Sequence, residues 1–154
     1  MQKSVREQLI EYFTMTKEAD RLYGLLAEKR GMSDAMFWVL YAIHFHENTC
    51  TQKDICGLWF MSKQTVHSAL KSLHREGYIV LEPSPEDRRK KFITLTESGF
   101  VFVNEHIRPI MDAEEKAMGA LTEEERAVLL SSARRFEEEL KAQLSKLQEE
   151  REKD

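Results

Sequence analysis

The chain has 154 residues, 42% hydrophobic and 32% charged, a balance that excludes a disordered chain and fits one domain with helical extensions. Its longest apolar run, Ala35 to Ile43, is far short of the roughly 20 residues of a transmembrane helix, and the first residues carry charge where a secretory signal needs apolar side chains. Two cysteines, Cys50 and Cys56, make no disulfide framework, and the expectation is a soluble, cytoplasmic protein with no membrane association, no cofactor and no metal.

Apolar positions Val5, Leu9, Tyr12, Phe13, Ala19, Leu22 and Leu26 recur every three or four residues, which predicts an amphipathic helix over 5–28, ended near Gly31. Ser33 then caps a second helix, whose run Met36, Phe37, Val39, Leu40, Ile43 is apolar nearly all round and therefore reads as buried. Asn48-Thr49-Cys50 breaks that helix. Thr51 with Asp54 three residues on resembles a capping box and opens a short third helix through Ile55 and Leu58. Ser62 caps a fourth, which buries Val66, Ala69, Leu70 and Leu73 and stops at Gly77.

After Gly77 the period changes from helical to extended. Tyr78 to Leu81 reads as a strand, Pro83 to Asp87 as a turn, and Phe92 to Leu95 as the returning strand of a hairpin. Thr96 caps a fifth helix, bent or interrupted near Pro109. Thr122 and Glu125 form a capping box for the last helix. That helix carries Leu129, Ala133, Phe136, Leu140, Leu144 and Leu147 at spacings of three and four, a seam that must be buried against a partner.

Formal net charge is −4, which taken alone argues against a nucleic-acid partner. The charge is unevenly placed, however. Lys63, Lys71, Arg75, Arg88, Arg89, Lys90 and Lys91 face only Glu76, Glu82, Glu86 and Asp87 within residues 62–91, and the rest of the chain is acidic. Screening confines a polyanion to the nearest face, so one basic segment on an acidic scaffold suffices for a binding surface. Two short helices, a tight turn and a hairpin with a basic tip make a winged helix-turn-helix. The fourth helix leaves Ser62, Lys63, Gln64, Thr65, Ser68 and Lys71 outward, with His67 at the margin. Hydroxyls and an amide there can bond phosphates or base edges, and the helix N-terminus favours a phosphate. Arg88, Arg89, Lys90 and Lys91 sit at or just past the wing turn, where a guanidinium can enter the minor groove.

Residues 33–99 resemble the DNA-binding core of the MarR family of transcriptional regulators. SKQTVHSALKSLHREGYI is similar to that family's recognition helix and following strand, and DRRKKFITLTESG to its wing, through Asp87, Arg89, Leu95, Thr96 and Gly99. The resemblance implies a mainly α, α+β fold: a winged helix-turn-helix with a two-stranded wing, flanked by dimerisation helices over 1–31 and 97–148. It implies a homodimer, with Leu9, Phe136, Leu140, Leu144 and Leu147 as candidate interface residues, whose recognition helices enter successive major grooves of a pseudo-palindromic operator on double-stranded DNA. Arg89 would reach the minor groove with its direction fixed by Asp87. Family members commonly repress their own or a neighbouring gene, and many release DNA when a small apolar or phenolic effector binds. The sequence departs from the pattern at His67-Ser68, where an arginine often stands, and at Trp59-Phe60-Met61, where the turn often has glycine.

Other chemistry fares less well. Cys56 falls on an expected apolar helix face and reads as a small core residue, whereas Cys50 sits in a loop beside only one cation, Lys53, a poor setting for a sensing thiol. His44 and His46 diverge by roughly 200° on a helix and cannot share an ion unless the helix ends between them. His67 and His74 lie two turns apart, too far to share one. Trp59 and Phe60 read as packing for the turn. No nucleophile elbow, glycine-rich phosphate loop or metal-ligand pattern supports an enzyme. The alternative is a winged-helix module that binds a protein. Four consecutive cations favour DNA over it, and steep salt dependence would discriminate the two.

Overall fold

The structure, a computed structural model, describes residues 3–83 and 90–151. It divides into two compact units, residues 1–109 and 110–154.

In the first unit, α1 (Val5–Lys29) starts at a capping box in which the Ser4 side chain accepts from the Glu7 N–H and Glu7 accepts from the Ser4 N–H. It ends before Gly31, whose φ of 71° only glycine adopts without strain. Ser33 caps α2 (Asp34–Phe45) through the Met36 N–H. As its composition predicts, α2 is the centre of the core, with Phe37, Val39, Leu40, Ala42 and Ile43 all buried. Around it pack α3 (Gln52–Trp59), α4 (Lys63–Arg75) and α5 (Glu97–His106). They contribute the buried side chains of Ile55, Val66, Leu73 and Val103.

The sheet is larger than the expected hairpin. β2 (Ile79–Pro83) and β3 (Lys91–Leu95) pair antiparallel, with Ile79 opposite Leu95 and Leu81 opposite Ile93. A third strand, β1 (Thr49–Thr51), pairs with the other edge of β3 and places Cys50 opposite Ile93. Three residues carry too little periodicity to announce a strand; the pairing exists because β3 is delivered beside it from far along the sequence, Thr51 meeting Phe92 and Thr49 meeting Thr94. β1 also buries Cys50 to 4% exposure, while Cys56 stays half-buried. That reverses the expected roles of the two cysteines. Both are free thiols.

The join between wing and α5 explains part of the Leu95-Thr96-Gly99 motif. The Thr96 hydroxyl donates to the Gly77 carbonyl at 2.6 Å and accepts from the Gly99 N–H at 3.0 Å, so one side chain both caps α5 and holds the turn after α4. Gly99 lies so close to Tyr78 that a Cβ there would overlap the Tyr78 carbonyl oxygen. The helix then breaks at Ile107, and α6 (Arg108–Gly119) begins with Pro109 in its first turn, where a missing N–H is harmless.

The second unit is the remainder of α6 and the 29-residue α7 (Glu123–Arg151). The expected capping box is present, with the Thr122 N–H donating to Glu125 and the Glu125 N–H to Thr122. No helix among the described residues is long and apolar enough to cross a membrane.

Candidate nucleic-acid interface

The helix-turn-helix is formed by α3 and α4. Thr51, the last residue of β1, caps α3 in a box with Asp54, whose carboxylate accepts from the Thr51 N–H and hydroxyl at 2.8 and 2.7 Å. These hydrogen bonds hold the Asp54 carboxyl below its ordinary range. The Gln52 side-chain amide donates to the Lys63 carbonyl at 2.9 Å and ties the start of α3 to the start of α4.

α4 is strongly two-faced. Val66, Ala69, Leu70 and Leu73 are buried, while Ser62, Lys63, Gln64, Thr65, His67, Ser68 and Lys71 are all exposed. Ser62 caps the helix by accepting from the Thr65 N–H at 3.0 Å, and its hydroxyl lies 2.7 Å from that of Thr65. Only one of the two hydroxyl protons is used between them. The other is free to donate outward, at a helix end that already favours an anion.

His67, Lys71 and His74 recur at four and three residues and form the edge of α4 nearest the wing. Together with Lys90, Lys91 and Ile93 of the wing and the start of α3, they line a groove of about 730 Å³. Among the described residues, four lysines, Lys53, Lys71, Lys90 and Lys91, line it against one carboxylate, Asp54. The His74 ring Nδ1 lies 3.1 Å from the Ile79 carbonyl and donates to it, which leaves Nε2 as the ring's other polar atom. The groove thus runs between a helix edge rich in donors and a cationic strand. Sequence reasoning placed the lysines of α4 and the wing outward but did not find Lys53 or His74 as part of the same surface. The signal for both was the third strand, which swings the start of α3 toward the wing. The expected site residues Asp87, Arg88 and Arg89 lie outside the described residues.

The turn between α3 and α4 treats its neighbours differently. Trp59 packs against Trp38 and Tyr41, with ring centroids 4.7 and 5.4 Å apart. Phe60, expected to pack with it, is 90% exposed. The thiol of Cys50 is pushed up to about 12 by burial and by the nearby Asp54 charge, the opposite of what a reactive thiolate needs. His44 bonds Asn48 rather than standing free, Nδ1 to Oδ1 at 3.0 Å. Among the described residues no cluster of three metal-ligating side chains occurs.

Comparison with known proteins gives this arrangement relatives. The model of the MarR family matches residues 30–90, the segment that holds α2, the helix-turn-helix and the start of the wing. The HTH-type transcriptional regulator SarZ of Staphylococcus haemolyticus is 30% identical over 101 residues, 66% of this chain and 65% of that protein. The chain therefore matches just under two thirds of that relative's length. Among solved structures, NMB1585, a MarR family regulator from Neisseria meningitidis, superposes with a TM-score of 0.75 at 24% identity, covering 90% of this chain and 97% of that one. MepR of S. aureus, solved as a DNA complex, gives a TM-score of 0.69 at 22% identity, over 84% and 93% of the two chains. At these identities the structural likeness is one of fold. The capped helix-turn-helix, the hairpin wing behind it and the matched segment agree, and residues 30–90 of this chain are similar to the MarR family.

Proposed function

We propose that the protein is a sequence-specific DNA-binding transcriptional regulator, acting in the cytoplasm by binding rather than catalysis. The observation that carries this reading is the groove between α4 and the wing, lined among the described residues by four lysines and one carboxylate. In a winged helix one strand of the duplex separates the major groove, entered by α4, from the minor groove, entered by the wing. A cationic trough between the two elements suits that phosphate backbone. Ser62, Lys63, Gln64, Thr65, His67, Ser68 and Lys71 then meet phosphates and base edges, and Lys90 and Lys91 hold the wing side; Asp87, Arg88 and Arg89 join them as contacts expected from the sequence alone.

The functional form is a homodimer on a pseudo-palindromic operator. Leu144 and Leu147 of α7, more than half exposed on the single chain, support this, as do Leu9 of α1 and Phe136 and Leu140 of α7, each more than a third exposed. The protein acts as a repressor released by a small apolar or phenolic effector. A hollow of about 580 Å³ offers the faces of Trp38, Trp59 and Met61 beside a charged rim of Asp20, Arg21 and Asp34, which supports a phenolic ligand with an apolar ring and a polar end. Trp59 also has a buried indole N–H with no acceptor among the described residues, and a phenolic oxygen would provide one.

The test is fluorescence anisotropy with DNA from upstream of the protein's own gene, against scrambled DNA, across a salt series. Binding should prefer the upstream sequence and weaken steeply with salt. Arg89→Ala should weaken it roughly 10- to 100-fold while leaving the dimer intact. Equal affinity for scrambled DNA, or no binding at low salt, would overturn the reading. Adding phenols to the same assay reads release.

A further inference from the structure

The turn between α3 and α4 holds a residue that neither the fold nor the groove accounts for. Phe60 closes α3 with φ 52° and ψ 29°, the left-handed conformation that disfavours any side chain with a Cβ. The other non-glycine residues at positive φ, Glu47 and Asn48, stand in a turn with evident structural duties. The Asn48 N–H donates to the Ile43 carbonyl at 2.9 Å, and the Asn48 carbonyl accepts from the Leu95 N–H of β3 at 3.4 Å. Phe60 gains no such burial in return for its conformation. Its neighbours Trp59 and Met61 line the hollow beside Trp38, while Phe60 stands 90% exposed between them. A large aromatic ring held in solvent by a backbone conformation that glycine would adopt more easily is the reverse of what stability alone selects.

What it would touch follows from its position. Phe60 is two residues before Ser62, the cap of α4, and three before Lys63, both exposed at the end of the helix that presents its N–H groups to an anion. We propose that Phe60 is a direct DNA contact, its ring laid on the apolar part of the duplex where α4 enters. Two groups offer that apolar surface, the thymine 5-methyl and the deoxyribose edge. The ring adds contact area without charge, next to donors that fix the phosphates. This assignment rests on the DNA-binding reading.

The experiment compares wild type, Phe60→Gly and Phe60→Tyr by anisotropy on the upstream DNA across the salt series, with thermal unfolding of each. Phe60→Gly should bind about tenfold more weakly, the loss expected for uncovering part of one aromatic face. Its salt dependence should stay parallel to wild type, because no phosphate contact is removed. Its unfolding temperature should be equal or higher, since glycine relieves the strained φ. Phe60→Tyr should retain wild-type affinity. A probe with uracil in place of thymine separates the two surfaces. If the methyl is the contact, wild type weakens on it and Phe60→Gly does not weaken further; if the sugar edge is, wild type binds it unchanged and Phe60→Gly remains weaker. If wild type binds the upstream DNA and Phe60→Gly matches it, this assignment alone is wrong. A lowered unfolding temperature or a changed salt slope in Phe60→Gly would also overturn it, since the ring would then act by shaping α4. If wild type binds no DNA, the proposed function fails and the contact with it.

Discussion

Gly99 is fixed by its neighbour rather than by its own backbone. A Cβ at this position runs into the carbonyl oxygen of Tyr78, which is backbone and already accepts from the Thr96 N–H at 3.0 Å. Nothing flexible can give way. Gly99→Ala should therefore cost about 3 kcal/mol, read as a lower midpoint in urea, and Ala at exposed Gly57, where a Cβ meets nothing within 4 Å, is the control that should be neutral or stabilising. A sequence shows that glycine stands here but not why. Leu95, Thr96 and Gly99 were legible as a wing motif, and their physical reason needed the fold. The same limit applies to the cysteines. Cys50 looked like a loop residue because the strand that buries it is recognisable only beside β3, and Cys56 looked buried because a helical period was extended across a helix of eight residues. At Phe60 the sequence suggested packing by hydrophobicity alone; the left-handed φ, which turns its direction, leaves no trace in residue type.

At the level of elements, the caps were the most legible feature. Ser33, Thr51, Ser62, Thr96 and Thr122 each open a helix where the sequence places one, because a cap is a local interaction among four residues. The Thr51–Asp54 box has a measurable pH signature. Its hydrogen bonds lower the folded-state value of Asp54, so the stabilisation is present above the ordinary aspartate value near 3.9 and is lost as pH falls through the lower folded value. Asp54→Ala should cost about 0.5–1 kcal/mol near neutral pH, the low end because the carboxylate is exposed. The gap from wild type should close as acid protonates Asp54. A gap that stayed constant down to low pH would place the effect in helix propensity instead.

On the scale of the molecule, the apolar side chains left outside are as informative as the core. α7 has no buried residue among those described, yet Leu140 and Leu144 are 37% and 51% exposed. A helix of this length with such a seam is stable only when the seam is covered. Under the proposed dimeric reading, Leu140→Glu and Leu144→Glu together should leave a monomer in sedimentation and abolish operator binding, since one α4 alone cannot span two half-sites. A dimer that survives both changes would move the interface off this seam.

The third strand has a mechanical consequence. Thr51 is at once the end of β1 and the cap of α3, and β1 is laddered to β3, the strand that rises from the wing. Helix-turn-helix and wing are therefore two jaws of one casting, with a gauge set when the chain folds. Whatever moves one jaw must carry the other with it, so the two cannot be adjusted separately.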